Sequence, residues 1–227
     1  MGKEYRRDVQ VITTPGTPIE PIFVEDFDWD YDLICSGDWG WVVERDPTEH
    51  VAGRASLHMM TTNQEVADKD VRITFYPPMT EARYREYIIT FKLDATSDGK
   101  ALILFDIRIP DADLGDTYRY MLRLDLPNLD LELEDVTGWH KIGDIQGNLA
   151  PGNWYTIRFV IDFLNKNWVQ VEFENQDINV SAYAQESITA NNLLSNTRIE
   201  LTTTDTYPLE MWIDKIIVRA LDFLPEV

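Results

Sequence analysis

The sequence predicts an all-β protein, two packed antiparallel sheets preceded by an extended arm, and three observations predict it. From Ile22 onward, apolar and polar residues alternate with period two in one segment after another, the pattern of strands with one buried and one solvated face. Polar turn sequences separate these segments at near-regular spacing, and only a short stretch around Glu186 to Leu194 reads as helical. Residues 1–21 lack the alternation and carry Pro15, Pro18 and Pro21 at even spacing.

The arm comes first. Each proline biases its predecessor away from helix, so residues 1–21 read as an extended or polyproline-like linker. Val9, Val11 and Ile12 have the composition to add as a strand to a sheet edge, its own or a neighbour's. Lys3, Arg6 and Arg7 balance Glu4, Asp8 and Glu20, so the arm is neutral and the net charge of −20 sits on the body, residues 22–227. Tyr5, Arg6 and Arg7 form a cluster suited to an acidic surface, including that of a second copy.

The body follows strand by strand. Val71, Ile73 and Phe75 alternate with Arg72, Thr74 and Tyr76, and Tyr87, Ile89, Phe91 and Leu93 alternate with Ile88, Thr90 and Lys92. Ala101-Leu-Ile-Leu-Phe105 is apolar on both faces and reads as a central strand. Tyr118, Tyr120, Leu122 and Leu124 alternate with Arg119, Met121 and Arg123; Leu129, Leu131 and Leu133 alternate with Asp130, Glu132 and Glu134. The polar turn Leu164-Asn-Lys-Asn167 makes a hairpin of 153–174, whose second strand is predicted to bury Val169, Val171 and Phe173.

Composition bounds the function. The chain has 227 residues, 44% hydrophobic, with seven Trp, enough for one sandwich core. A pI near 4.3 repels phosphate backbones and anionic membrane surfaces, so neither nucleic acid nor membrane is an expected partner. A single cysteine, Cys35, excludes an intrachain disulfide. Neither a secretory apolar stretch nor a run of roughly 20 apolar residues is present, which predicts a soluble protein made in the cytosol.

Three landmarks together resemble the concanavalin A-like (laminin-G-like) family of sandwich domains. They are Phe23-Val-Glu-Asp-Phe27 followed by a Trp-rich loop and Gly53-Arg-Ala-Ser-Leu57; Asn153-Trp-Tyr-Thr-Ile-Arg-Phe159 running on to Phe163; and Met211-Trp-Ile-Asp-Lys-Ile-Ile-Val218. The resemblance covers residues 22–222 and implies a jelly roll whose first and last strands lie side by side. Glucanases, lectins, carbohydrate-binding modules, receptor domains and viral surface proteins share this fold, so it does not choose an activity. An arm leading into a lectin-like body also resembles structural proteins of tailed bacteriophages.

The resemblance brings candidate sites with it. Glycosidases of this fold carry alternating carboxylates on one strand; Glu132 and Glu134 share a face here, but Val136 and Thr137 follow where a third acid would stand. The same alternation recurs at Glu172 and Glu174 as a solvated strand face, so no catalytic residue is assigned. His50, His58 and His140 have no metal-ligand spacing, and Cys35 lies in an acidic loop without a base. Related domains hold calcium between the first and last strands, which makes Glu25, Asp26 and Asp214 weak calcium candidates; Asp111 and Asp113, acidic residues two apart near Gly115, are others. Trp39 and Trp41, in an aromatic and acidic loop, suit stacking on a sugar.

These readings lead to one expectation with an alternative. The expectation is a non-enzymatic attachment protein of a symmetric assembly, a capsid decoration (cement-type) protein on a phage virion surface. Its arm would grip capsid protein or further copies of the chain, and no cofactor beyond structural calcium would be needed. The alternative is a carbohydrate-binding, lectin-like module, and after it a polysaccharide hydrolase or lyase.

Overall fold

The computed structural model describes residues 20–28, 33–38, 40–61, 69–94, 100–111, 116–145, 149–150, 152–174, 176–185, 187–188, 195–203 and 208–222. All regular structure among them is strand. In chain order the strands are β1 (Pro21–Glu25), β2 (Ile34–Gly37), β3 (Val42–Asp46), β4 (Ser56–Met60), β5 (Asp70–Phe75), β6 (Tyr84–Leu93), β7 (Ala101–Asp111) and β8 (Asp116–Asp125). They continue as β9 (Asp130–Asp135), β10 (Gly138–Asp144), β11 (Trp154–Asp162), β12 (Asn167–Phe173), β13 (Gln176–Asn179), β14 (Ser187–Ile188), β15 (Asn196–Thr203) and β16 (Glu210–Leu221).

The strands divide between two eight-stranded sheets. The first runs β13-β12-β11-β6-β16-β4-β3, with β1 also paired to β16; the second runs β10-β9-β8-β7-β15-β5-β2, with β14 paired to β8. Every pairing is antiparallel, and β1 lies against β16 through Phe23 opposite Val218 and Val24 opposite Ile217. First and last strands are therefore neighbours, as the resemblance implied.

Period-two alternation produces the core. Tyr87, Ile89 and Phe91 of β6 and Ile157, Phe159 and Ile161 of β11 point inward from the first sheet, towards Ile103, Phe105 and Ile107 of β7 and Leu122 and Leu124 of β8. Rings join the layers: Phe105 lies 5.9 Å from Phe159, and Tyr120 meets Trp168 edge-on at 5.6 Å. Each fully buried side chain of this size contributes about 1.5–3 kcal/mol.

Four local expectations change. Trp168, not Val169, enters the core, because the β11·β12 register shifts between Val160 and Ile161; Val169 packs instead in a small outer cluster with Tyr84, Val160 and Leu221. The Ala101–Phe105 strand is central as predicted, but only Ala101, Ile103 and Phe105 face the core, while Leu102 and Leu104 are half-buried on the outer face. Within the stretch predicted as helical, Ser187 and Ile188 form a strand that pairs with Tyr118 and Thr117, satisfying an edge that β9 leaves open; residues 189–194 lie outside the described residues. Pro21, the last residue of the predicted arm, begins β1, and Tyr5, Arg6, Arg7, Val9, Val11 and Ile12 lie outside the described residues.

The segment after β1 is pinned tightly. Phe27 is buried at φ 55°, and Arg45 donates from Nε to the Phe27 carbonyl at 2.7 Å and from Nη2 to the Asp28 carbonyl at 2.8 Å. Gly53, at φ 77°, is required where it stands, since a Cβ there would collide with the Asp28 carboxylate.

Candidate functional site

Strands bury one face, so the outer faces of the two sheets carry the chemistry. Register decides which side chains meet there. On the second sheet, Arg198 of β15 lies opposite Asp106 of β7, Asp106 opposite Met121 of β8, Met121 opposite Glu134 of β9, and Glu134 opposite Trp139 of β10. The next row reads Arg72, Glu200, Leu104, Arg123, Glu132 and Lys141. On the other side of Asp106, Arg108 and Arg119 stand directly opposite each other. From β5 to β10 such a row spans about 24 Å, the reach of an oligosaccharide rather than a single sugar.

Asp106 is the hub. It is 1% exposed and meets three guanidinium groups. Arg119 donates from Nε and Nη2 at 3.0 Å each, Arg108 from Nη2 at 3.1 Å and Nε at 3.4 Å, and Arg198 Nη2 lies 3.0 Å away. Burial pushes its carboxyl up, but the bonds from Arg119 and Arg108 outweigh burial and hold it below the usual carboxylate range. Both Arg108 and Arg119 engage Asp106 through their Nε–Nη2 edge. Among the described residues their Nη1 groups have no partner, although these side chains are about a third exposed.

Two further groups complete the surface. Glu134 makes no hydrogen bond or ion pair through its carboxyl among the described residues, and burial raises its pKa against the opposing pull of Arg119. Trp139 has the Arg123 guanidinium carbon 4.2 Å from its ring centroid, and Arg123 donates from Nε to Glu132 at 2.8 Å. The Arg123 guanidinium is thus held over the indole by its bond to Glu132.

The outer face of the first sheet carries a row that is closed on itself. Trp154, Lys92, Trp212, His58 and Glu44 lie opposite one another in turn. Lys92 Nζ sits 4.4 Å from the Trp212 centroid and pairs with Glu49, while His58 stacks on Trp212 at 4.8 Å and bonds Glu210 at 2.9 Å. Trp212 donates from Nε1 to Asp46 at 2.9 Å; burial pushes Asp46 up, but bonds from Thr48 and Trp212 bring it to about 2. Lys92, Trp212, His58 and Glu44 of this ladder already have partners within the chain.

The structure places the sequence candidates as follows. Trp39 and Asp113 lie outside the described residues, and of Asp111 only the backbone, in β7, is described. Trp41 packs half-buried against the core beside Gly37. Asp214 accepts the Val51 N–H at 2.7 Å, Glu25 the Phe27 N–H at 3.1 Å, and Asp26 the Asp28 N–H at 3.3 Å, so each caps backbone. Among the described residues no group of three or more His, Cys, Asp or Glu is arranged to hold a metal ion.

His140 meets Thr137 at 2.7 Å and Asp135 at 2.8 Å through the same nitrogen, Nε2, so it cannot relay a proton between them. Burial pushes the Cys35 thiol up, away from reactivity. Glu132 and Glu134 do share a face, and Glu132 is taken by Arg123. Asp106, Arg108, Arg119, Arg198 and Trp139 were not foreseen as a site. Their one sequence signal is that the charged residues of three segments all fall out of phase with the apolar ones.

Comparison with solved structures decides the fold name. The endo-β-1,4-glucuronan lyase of the fungus Trichoderma reesei superposes with TM-score 0.57 at 11% identity, covering 88% of this chain and 96% of that one. The mixed-linkage-glucan GH16 protein of Bacteroides ovatus, in complex with a product, gives 0.53 at 12% identity, covering 87% and 99%. The carbohydrate recognition domain of Emp46p, in metal-free form, gives 0.51 at 8% identity, covering 92% and 100%. The fold is a concanavalin A-like jelly roll. At such identities the likeness establishes the fold alone, one shared by enzymes and lectins. No protein-family model matches the sequence, and no curated protein sequence matches it.

These findings correct the expected virion attachment protein. The similar solved structures include a glucuronan lyase, GH16 proteins, a carbohydrate recognition domain and a carbohydrate esterase from a bacteriophage, and none of them is described as a virion attachment protein. The expectation rested on a body without a local motif; that body's second sheet carries an organised polar face that no single strand reveals. Among the described residues no helix is long and apolar enough to cross a membrane, and nothing in the structure carries a virion surface.

Proposed function

We propose that this chain is a non-catalytic carbohydrate-binding domain that lays an oligosaccharide across the outer face of its second sheet. The observation that carries the proposal is the set of polar groups there without a partner among the described residues, the Nη1 ends of Arg108 and Arg119 and the Glu134 carboxyl, the last directly opposite Trp139 on the neighbouring strand. Saccharides are bound by this combination, fixed donors and acceptors for hydroxyls beside an aromatic face for the apolar side of the ring. The proteins of like fold include a glucan-bound hydrolase, a glucuronan lyase and a carbohydrate recognition domain, which supports a saccharide as the ligand.

Catalysis by paired carboxyls needs one that keeps a proton and a second free to attack or to activate water. Among the described carboxyls of this face that could pair with one another, Glu134 makes no hydrogen bond or ion pair. Glu132 is bound by Arg123 and Asp106 by three arginines.

Affinity electrophoresis through gels cast with a panel of polysaccharides tests the reading. At least one polymer is expected to retard the protein, Trp139→Ala is expected to cut that retardation about 10-fold or more, and no reducing ends are released. A protein that no polymer retards, or whose retardation survives Trp139→Ala, overturns it; release of reducing ends overturns the non-catalytic part.

A further inference from the structure

The ion pairs of the second sheet do not balance evenly. Arg72, Arg108, Arg119 and Arg198 form one connected network with Asp70, Asp106 and Glu200, four cations against three carboxylates. Among the described residues the close ion pairs of this network therefore hold one more cation than carboxylate, with Glu134 the one further acid acting on it from the same face, on a chain whose net charge is −20. Arg72 and Arg198 share Glu200 as well as their other partners, whereas among the described residues Arg108 and Arg119 form ion pairs with Asp106 only, Glu134 and Glu200 acting on Arg119 from farther off.

Two like-charged side chains directly opposite on neighbouring strands destabilise a sheet unless something lies between or above them. Asp106 accepts from both, and among the described residues each keeps an Nη1 group that makes no hydrogen bond or ion pair. A guanidinium held by its Nε–Nη2 edge is also held in orientation, so its remaining donors are presented without further loss of side-chain freedom.

We propose that this pair selects an acidic saccharide, with the carboxylate of a uronate residue accepting hydrogen bonds from Arg108 Nη1 and Arg119 Nη1; the inference rests on the saccharide reading of the same face. The planar carboxylate fits because it offers two oxygens to two adjacent donors, as Asp106 does from below. The neighbouring Glu134, with its unpaired carboxyl, is left to bond a ring hydroxyl. The acidic body makes this selection meaningful. A polyanion is repelled by most of the surface, so retention of one requires a dedicated cationic locus.

The experiment uses the full chain and three polymers: a polyuronate, the same polyuronate with its carboxyls reduced to alcohols, and a neutral glucan. Binding is expected to the polyuronate and to fall at least about 10-fold on the reduced polymer. Arg119→Gln and Arg108→Gln are expected to do the same on the native polymer. Arg119→Lys, which keeps the charge but loses the fork, is expected to weaken binding while lowering the melting temperature less than Arg119→Gln does. Arg158→Gln, on the opposite outer face, is expected to leave binding as it is. Equal binding to native and reduced polymer, or binding to the neutral glucan alone, overturns the acidic selection and leaves the saccharide reading standing. Binding to none of the three overturns the acidic selection, and the broader panel above then decides the saccharide reading separately.

Discussion

Replacing Asp106 by Asn tests whether the polar face is as organised as its geometry implies. The carboxylate is 1% exposed and receives five contacts of 3.0 to 3.4 Å from three arginines. Asn keeps the shape but offers one acceptor and turns an NH2 towards guanidinium donors. Arg108 and Arg119 then lose their ion-pair partner among the described residues, and Arg198 keeps only Glu200. Removing one partner from a buried ionic group costs about 3–5 kcal/mol. For a domain of this length that lowers the melting temperature by roughly 6–20 °C.

The pH dependence has a definite sign. The folded-state carboxyl is held below its ordinary value of 3.8, so its stabilisation is complete above about pH 4 and is lost as pH falls through the folded value. Urea unfolding followed by tryptophan fluorescence should show a constant gap between wild type and variant from pH 8 to about pH 5, closing only in stronger acid. A gap under about 1 kcal/mol, or one already closed at pH 6, refutes the reasoning.

Two other predictions concern neighbouring features. Burial raises Asp70 to about 6 despite Arg72, with Glu200 and Asp38 adding to the rise, so the folded state binds this proton more tightly than the unfolded chain; Asp70→Asn should therefore gain about 1–2 kcal/mol relative to wild type between pH 4 and pH 7 in urea unfolding, and parallel stability curves would exclude it. Trp168→Ala should cost about 3–5 kcal/mol and Val169→Ala about 1, measured the same way; the reverse order would mean that the bulge in β12 is absent.

Most of the fold is legible in the sequence because burial alone writes it. Tyr87, Ile89 and Phe91 face inward as their spacing predicts, and so do Leu131 and Leu133. The exception at Val169 has a physical cause. Asn167-Trp-Val-Gln170 offers two adjacent apolar residues, and alternation cannot tell which one the sheet keeps once a bulge admits an extra residue. The edge strand at Ser187–Ile188 was equally hidden, since its pairing is decided by an open stretch of β8 and not by its own composition.

The site was illegible for a different reason, and the reason is geometric. Same-face neighbours along one strand are about 6.6–6.8 Å apart, while neighbours on adjacent strands are about 4.7–4.9 Å apart. The nearest contacts on a sheet therefore run across the chain direction. A search along the sequence for paired carboxylates finds Glu132 and Glu134, whose separation is the longer of the two. It cannot find Arg108 against Arg119, which meet only when β7 and β8 pair, or Arg198 against Asp106, which meet only once β15 has been inserted beside β7. Absence of a motif was thus weak support for an inert body. In a jelly roll the functional unit is the row, and a row takes one residue from each strand.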